Sequence, residues 1–292
     1  MNVVLVNGYG RSGSTVIEAV LSKRSEIFPV GEMRNIWERG LLGYRCSCER
    51  SILDCDFWSK VIGSVSDEKS LADFFLKMES IRYKYDRIRN FWKIQSLERV
   101  PDDLQWYIKK HEEMYEIICD ESNKSIVLDS SKNPTHAAIL SKSKRINIKN
   151  IHLVRHPRAV VYSWSRKKIR KESPDLSFMP RHSFYKSSAL WLVMNAQSEK
   201  VMGENFFLRY EDFVNSPEDA IKSLREYIGC SGHGEPVNNL HTIGGNPVKF
   251  DSGFTNIKPD MEWKKKQRKL DAALTWAMTF WMAKKYGYSY DG

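Results

Sequence analysis

No apolar run in the sequence approaches the roughly 20 residues that a membrane-spanning helix needs, so stable membrane insertion is not expected. There is no internal repeat and no low-complexity tract, which excludes solenoid arrays and long disordered linkers. Cysteine is sparse and odd in number, and Cys46, Cys48, Cys55, Cys119 and Cys230 cannot form a closed disulfide framework. Three of them cluster in CSCERSILDC. Three thiolates are one short of a structural zinc set, however, and no histidine lies close by in sequence to complete it, so the expectation is an ordinary loop and no metal site. An apolar strand beginning at Val3 leaves no room for a secretory segment, and the expected compartment is the cytoplasm.

What is present is globular. In 292 residues, 41% are hydrophobic and 28% charged, ordinary values for a folded chain long enough to bury a sizeable core. The expected organisation is one α/β domain over residues 1–292 with a helical insertion at about 60–120. A net charge of +10 calls for an anionic partner, without choosing between nucleic acid, a membrane surface and a highly charged nucleotide. The basic residues gather in Lys142–Lys149, in Arg166–Lys171 and in a run from Lys264 to Lys269. Such runs are usually solvated faces, but the middle one adjoins a motif described below.

The stretch from Val3 to Lys23 reads as strand, glycine-rich turn and helix. Gly8, Gly10 and Gly13 lie in the turn, and Val16, Ile17, Val20 and Leu21 recur at helical spacing after Ser14 and Thr15. Backbone N–H groups and the positive end of the helix dipole then converge on one point, a place for phosphate or sulfate. The segment nearly matches a Walker A loop, with Thr15 at the magnesium-binding hydroxyl position. The terminal lysine is missing. Ser14 occupies its place and the nearest cation is Arg11, earlier in the loop, so the reach of a nucleoside triphosphatase to the outer phosphates is lost. Taken alone, the loop is either a ligand site or a plain tight turn.

Further strands are expected at Glu26–Val30, Ser125–Leu128, Asn150–Val154 and Asn205–Leu208, with helices between them, which implies a mostly parallel sheet covered on both faces. The first ends at Gly31, Glu32 and Arg34, the second at Asp129–Asn133, the third at Arg155. Groups at the carboxyl ends of such strands face the ligand crevice. Residues from about Ser66 to Cys119 read as helices that cap the open edge of the sheet, and the C-terminus as one amphipathic helix from about Trp263 to Lys285.

Five separated segments match one pattern, in the right order along the chain. GYGRSGST resembles the 5′-phosphosulfate loop of sulfotransferases that use 3′-phosphoadenosine 5′-phosphosulfate (PAPS), and IHLVRHPRAVVYS resembles their 3′-phosphate motif, an arginine leaving a strand with a serine eight residues later. LDSSKNP and LRYEDFVNSPED are similar to further landmarks, and HTIGGNPVKF to the segment that closes over the nucleotide. The resemblance spans nearly the whole chain and is nearer to the carbohydrate, tyrosylprotein and bacterial branch than to cytosolic aryl sulfotransferases. It implies the P-loop-like sulfotransferase fold.

Carried over residue by residue, the resemblance implies that Arg11 contacts the transferred sulfuryl group. Gly13, Ser14 and Thr15 give donors to the 5′-phosphate, with Gly10 and Ser12 also among the cofactor-binding residues; Arg155 and Ser163 hold the 3′-phosphate, and Gly245, Asn246 and Lys249 bind the cofactor from the closing segment. Glu32 matches the base of that branch and Lys132 the cation near the leaving phosphate. Other sulfotransferases use a histidine base, and His111, His136 and His182 are the histidines expected in or near the crevice. The chemistry agrees, since in-line sulfuryl transfer needs a base and positive charge on the leaving oxygen, as phosphoryl transfer does. The expected acceptor is a hydroxyl, or an amine, of a carbohydrate, lipid or small natural product, with Trp37, Tyr44, Phe74, Phe91, Trp92 and Trp106 either stacking on it or serving as core. PAPS carries about four negative charges, so the basic balance has a partner without nucleic acid. The alternatives are a P-loop-like kinase or NTP-binding protein, and a non-catalytic polyanion-binding protein. For Arg155 the plain structural alternative is an ion pair with Asp129.

Overall fold

The apolar runs become strands of one sheet, and the periodic segments between them become its two helical layers. The computed structural model describes residues 1–23, 26–201, 203–230, 237, 240–244 and 259–292. Gly245, Asn246 and Lys249 of the expected closing segment lie outside the described residues. In chain order the elements begin with β1 (Asn2–Asn7), α1 (Ser14–Leu21), β2 (Ile27–Gly31), α2 (Ile36–Leu41) and α3 (Asp56–Val65). Next come α4 (Leu71–Tyr85), α5 (Phe91–Gln95), α6 (Asp102–Ser122), β3 (Ile126–Asp129), α7 (Pro134–Leu140), β4 (Asn147–Val154) and α8 (Pro157–Ser165). The chain continues through α9 (Phe184–Ser198), β5 (Asn205–Arg209), α10 (Tyr210–Asn215), α11 (Pro217–Ile228), α12 (Glu262–Lys266) and α13 (Lys269–Lys285).

The sheet has the order β2-β3-β1-β4-β5 and every pair is parallel. The expected α/β class with a mostly parallel sheet is thus met by a wholly parallel one. Because successive strand residues point to opposite faces, β1 divides its side chains between two cores. Val3 and Leu5 join Phe28, Val30 and Val127 under α2–α6, while Val4 and Val6 join Ile17, Leu21, Leu128, Phe213 and Leu224 under α1, α10 and α11. Strand order reverses about β1. The loop after β1, the ends of β2 and β3 and the end of β4 therefore open into one crevice, as the rule for open α/β sheets requires.

The helices between β2 and β3 lie against a face of the sheet and supply its larger core. Trp37, Phe74 and Phe91 are wholly buried there, so these three are core residues rather than platforms for an acceptor. Burial of each contributes about 2–3 kcal/mol, which outweighs any gain from presenting it at a surface. Trp92 faces solvent. The single C-terminal helix expected from Trp263 is two, broken where Gln267 and Arg268 take extended backbone angles. The break lets α12 stack Trp263 on His156, with ring centroids 4.6 Å apart, while α13 runs along α8 and α9. Among the described residues no helix is long and apolar enough to cross a membrane.

Candidate active site

The turn between β1 and α1 is built on backbone that few side chains tolerate. Gly13 precedes α1 with φ of 98°, and a Cβ there would lie 2.3 Å from the ring of Tyr210, so only glycine fits. Arg11 itself has φ of 73°, which lifts its side chain out of the turn. The guanidinium rests over Trp164 at 5.0 Å and donates to the Met179 thioether at 2.9 Å. Neither contact neutralises it. Gly10, Gly13, Ser14 and Thr15 line the same cavity of about 490 Å³. Ser12 does not: its hydroxyl is buried and donates to the Tyr9 carbonyl at 2.7 Å, so it shapes the turn rather than facing a ligand.

At the ends of β2 and β3, Glu32 and Lys132 meet. The Lys132 ammonium donates to Glu32 Oε1 at 2.8 Å and to Ser14 Oγ at 3.2 Å, bridging the carboxylate and the first turn of α1. Glu32 Oε2 accepts from Arg39 at 2.7 Å and from Asn35 at 3.0 Å. Burial pushes the Glu32 carboxyl up, but Lys132 and Arg39 outweigh it and hold the group well below the usual carboxylate range. Lys132 has φ of 56°, a left-handed position held by its N–H donating to the Val6 carbonyl at 3.1 Å. Arg39 carried no sequence signal, because the helix that positions it is only six residues long.

At the end of β4, Arg155 lies over the ring of Tyr210 at 4.6 Å and pairs with Asp260 at 3.2 Å. It does not pair with Asp129, which is wholly buried and accepts from Tyr115 and Ser131. Ser163, one helical stretch later on α8, lines the cavity beside it. The third wall is the basic stretch after α8. Residues 166–179 fold back as a narrow antiparallel ribbon, with Arg170 N–H donating to Ser177 and Met179 N–H to Lys168. Alternation along an extended chain then sends Arg166, Lys168 and Arg170 into the cavity and leaves Lys167 and Ile169 outside. Burial, with Arg166 and Arg11 adding to it, pulls the Lys168 amine down to about 8.

The cavity wall thus carries eight Arg and Lys side chains against two carboxylates, Glu32 and Asp260. Arg39 Nη1 and the Nε atoms of Arg155, Arg166 and Arg170 are buried with no hydrogen-bond partner among the described residues. Unmatched donors in a cationic cleft fit a polyanion with several phosphate or sulfate oxygens. Of the histidines expected in the crevice, only His182 lines it, stacked on Trp164 at 4.4 Å with Nδ1 at 3.0 Å from the Tyr9 hydroxyl. His111 and His136 are wholly buried beneath the helical layer. The cysteine loop also departs from expectation, because the fold brings His241, distant in sequence, to Cys46, Cys48 and Cys55.

A family model described as "Sulfotransferase family" matches residues 4–233. The chain belongs to the sulfotransferase family. Two solved structures share its fold: the sulfotransferase domain from the Synechococcus PCC 7002 olefin synthase and that from the curacin biosynthetic pathway. The first is 16% identical, with TM-score 0.54 over 99% of this chain and 95% of that one. The second is also 16% identical, with TM-score 0.55 over 98% of this chain and 97% of that one. No curated protein sequence matches. Family membership supports sulfuryl transfer as the chemistry and an enzyme as the class, and it leaves the kinase and polyanion-binding readings without support.

Proposed function

We propose that the protein moves the sulfuryl group of PAPS to a hydroxyl, or an amine, of a small acceptor, with Glu32 as base. Arg11 and Lys132 act on the transferred group and the leaving phosphate, and Arg155 and Ser163 hold the 3′-phosphate. The observation that carries this reading is convergence: four segments distant in sequence supply Arg11, Glu32, Lys132, and Arg155 with Ser163, to one cationic cavity. When bound, PAPS supplies an activated sulfuryl group on a phosphate leaving group.

The chain's own groups then have distinct tasks. The N–H groups at the start of α1 and the dipole behind them bind an anion, and Arg11 supplies the charge that the missing Walker lysine would have carried. Glu32 clamped by Lys132 and Arg39 is a weak base. An anion beside Ser14 competes for the Lys132 ammonium, and as Lys132 turns to it Glu32 keeps only Arg39 and Asn35, so its affinity for a proton rises. Lys132 therefore couples donor binding to the readiness of the base. The remaining wall is apolar, formed by Ile88, Leu190, Met194 and Pro180. Among the expected acceptors that wall favours a lipid or natural product with a hydrocarbon or aromatic body.

The test is transfer of label from ³⁵S-PAPS to fractionated metabolites, together with stabilisation by 3′,5′-bisphosphoadenosine measured against AMP and against ATP. Transfer without added magnesium, and a larger melting shift from the bisphosphate than from AMP, are expected. No labelled product and no shift from the bisphosphate would overturn the reading. Magnesium is to be left out rather than chelated.

A further inference from the structure

The cluster that the catalytic reading leaves unused is Cys46, Cys48, Cys55 and His241. Their three Sγ atoms and one ring nitrogen all lie within 4.8 Å of one another. Three of the six edges are 3.5 Å for Cys48 Sγ to Cys55 Sγ, 3.8 Å for Cys46 Sγ to His241 Nδ1 and 3.2 Å for Cys55 Sγ to His241 Nδ1. Zinc bonds of about 2.3 Å to sulfur and 2.0–2.1 Å to nitrogen give a tetrahedron with edges of about 3.8 Å (S to S) and 3.6 Å (S to N). These three edges stand close to that figure. All three cysteines are free thiols, and the 3.5 Å sulfur separation is far beyond a disulfide bond.

The surroundings fix one orientation of the imidazole. The His241 ring is stacked on Phe57, 4.9 Å away and 10° from parallel. Its peptide is fixed on both sides, since Trp58 Nε1 donates to the His241 carbonyl at 2.8 Å, Ser47 Oγ donates to the Leu240 carbonyl at 2.6 Å, and Thr242 N–H donates to Ser47 Oγ at 2.8 Å. Cys46 and Cys55 are wholly buried, which suits a closed structural site rather than an open catalytic one.

We propose that these residues form a structural Cys3His zinc site. Binding is Zn²⁺ exchanging for three thiol protons, which pass to solvent, while His241 coordinates through Nδ1 and keeps its proton on Nε2; the site gains three Zn–S bonds, one Zn–N bond and a net charge of −1. Soft sulfur donors with one imidazole in a tetrahedron select zinc over magnesium or calcium. The site ties the loop after α2 to residues 240–244, and it lies two residues from the backbone that holds Glu32. Ile243 N–H donates to the Val30 carbonyl at 2.8 Å and Glu32 N–H to the Ile243 carbonyl at 2.7 Å. At the same place Gly31, with φ of 75°, leaves no room for a Cβ, which would sit 2.4 Å from the Ile243 oxygen. Metal, residues 240–244 and the peptide of the base form one continuous support. The proposal does not depend on the identity of the sulfuryl donor.

The full chain, expressed with zinc in the medium and purified without chelator, is expected to contain one zinc per molecule by plasma mass spectrometry. Exchange for cobalt should give the thiolate charge-transfer and intense visible bands of a tetrahedral centre. Strong chelation should lower the melting temperature by at least about 5 °C. His241→Ala and Cys48→Ser should lose zinc, whereas His241→Cys, which offers four thiolates, should keep it; this last variant separates lost ligation from lost folding. Substoichiometric metal in folded protein, a Cys48–Cys55 disulfide in peptide mass spectra, stoichiometric metal other than zinc, or zinc content indifferent to these substitutions would each overturn the proposal.

Discussion

Arg155 meets Asp260 at a distance where a phosphate oxygen would sit equally well, so the carboxylate occupies the place of an anion. Burial raises the Asp260 carboxyl, but Arg155 lowers it further, so the group stays ionised and competes at neutral pH. Asp260→Asn keeps an acceptor for the Glu262 N–H and removes the charge. Isothermal titration should show 3′,5′-bisphosphoadenosine binding about 2- to 10-fold more tightly to it. Arg155→Ala should weaken the bisphosphate about 10- to 100-fold and leave AMP nearly unaffected, and equal losses for both would remove Arg155 from the 3′-phosphate. For Glu32→Gln a base role predicts kcat lower by about 10²- to 10⁴-fold, with nucleotide affinity kept or raised because Lys132 loses its partner. A variant with unchanged kcat would leave the base to be sought at His182, the histidine of the cavity wall.

At the scale of elements, the C-terminal ends of α4 and β3 and the start of α7 meet around a buried ion cluster. His136 Nδ1 lies 3.2 Å from Asp86 and Nε2 faces Asp129 at 3.6 Å, an ion-pair rather than a hydrogen-bond distance. Arg34 also pairs with Asp86, and the His111 ring is 5.4 Å from that of His136. Burial lowers the His136 imidazole, but the two carboxylates more than offset this and push it up to about 9. A group raised on folding stabilises fully below its unfolded value of about 6.5 and loses that contribution as pH rises through the folded value. Denaturant titrations from pH 6 to pH 10 should show stability falling by ~3 kcal/mol. His136→Gln should be less stable at pH 7 and lack that slope; an equal slope would assign the loss to other groups. The elements also show what was legible in the sequence. Strands, the glycine turn and the long α6 announced themselves by period and punctuation. The ribbon at 166–179 did not, because basic residues on both of its faces conceal the alternation that aims three of them inward. His241 was illegible for a different reason: its partners lie nearly 200 residues away, and only the fold joins them.

For the whole molecule, sequence and structure agree on class: an α/β chain with one parallel sheet and the expected strand ends at the crevice. The net charge found in composition proves local, since much of it lines one cavity. What composition could not show is that aromatic wealth serves the core beneath α2–α6, for a Trp or Phe at helical spacing looks the same whether it faces a sheet or a ligand.

Two of the cations assigned to the chemistry, Arg11 and Lys132, sit on left-handed backbone. Strain of this kind costs about 1–3 kcal/mol per residue, and mutual repulsion among the cavity's cations adds to it. On the roles proposed for them, fold robustness and turnover are set against each other at these positions. Arg11→Gly relieves both and should melt above the parent protein without ligand, yet below it at saturating 3′,5′-bisphosphoadenosine, so that the two melting curves exchange order as nucleotide is added. A search for thermostable variants of this chain would then gather inactive ones here first, and screening in the presence of nucleotide would hold the selection to working enzymes.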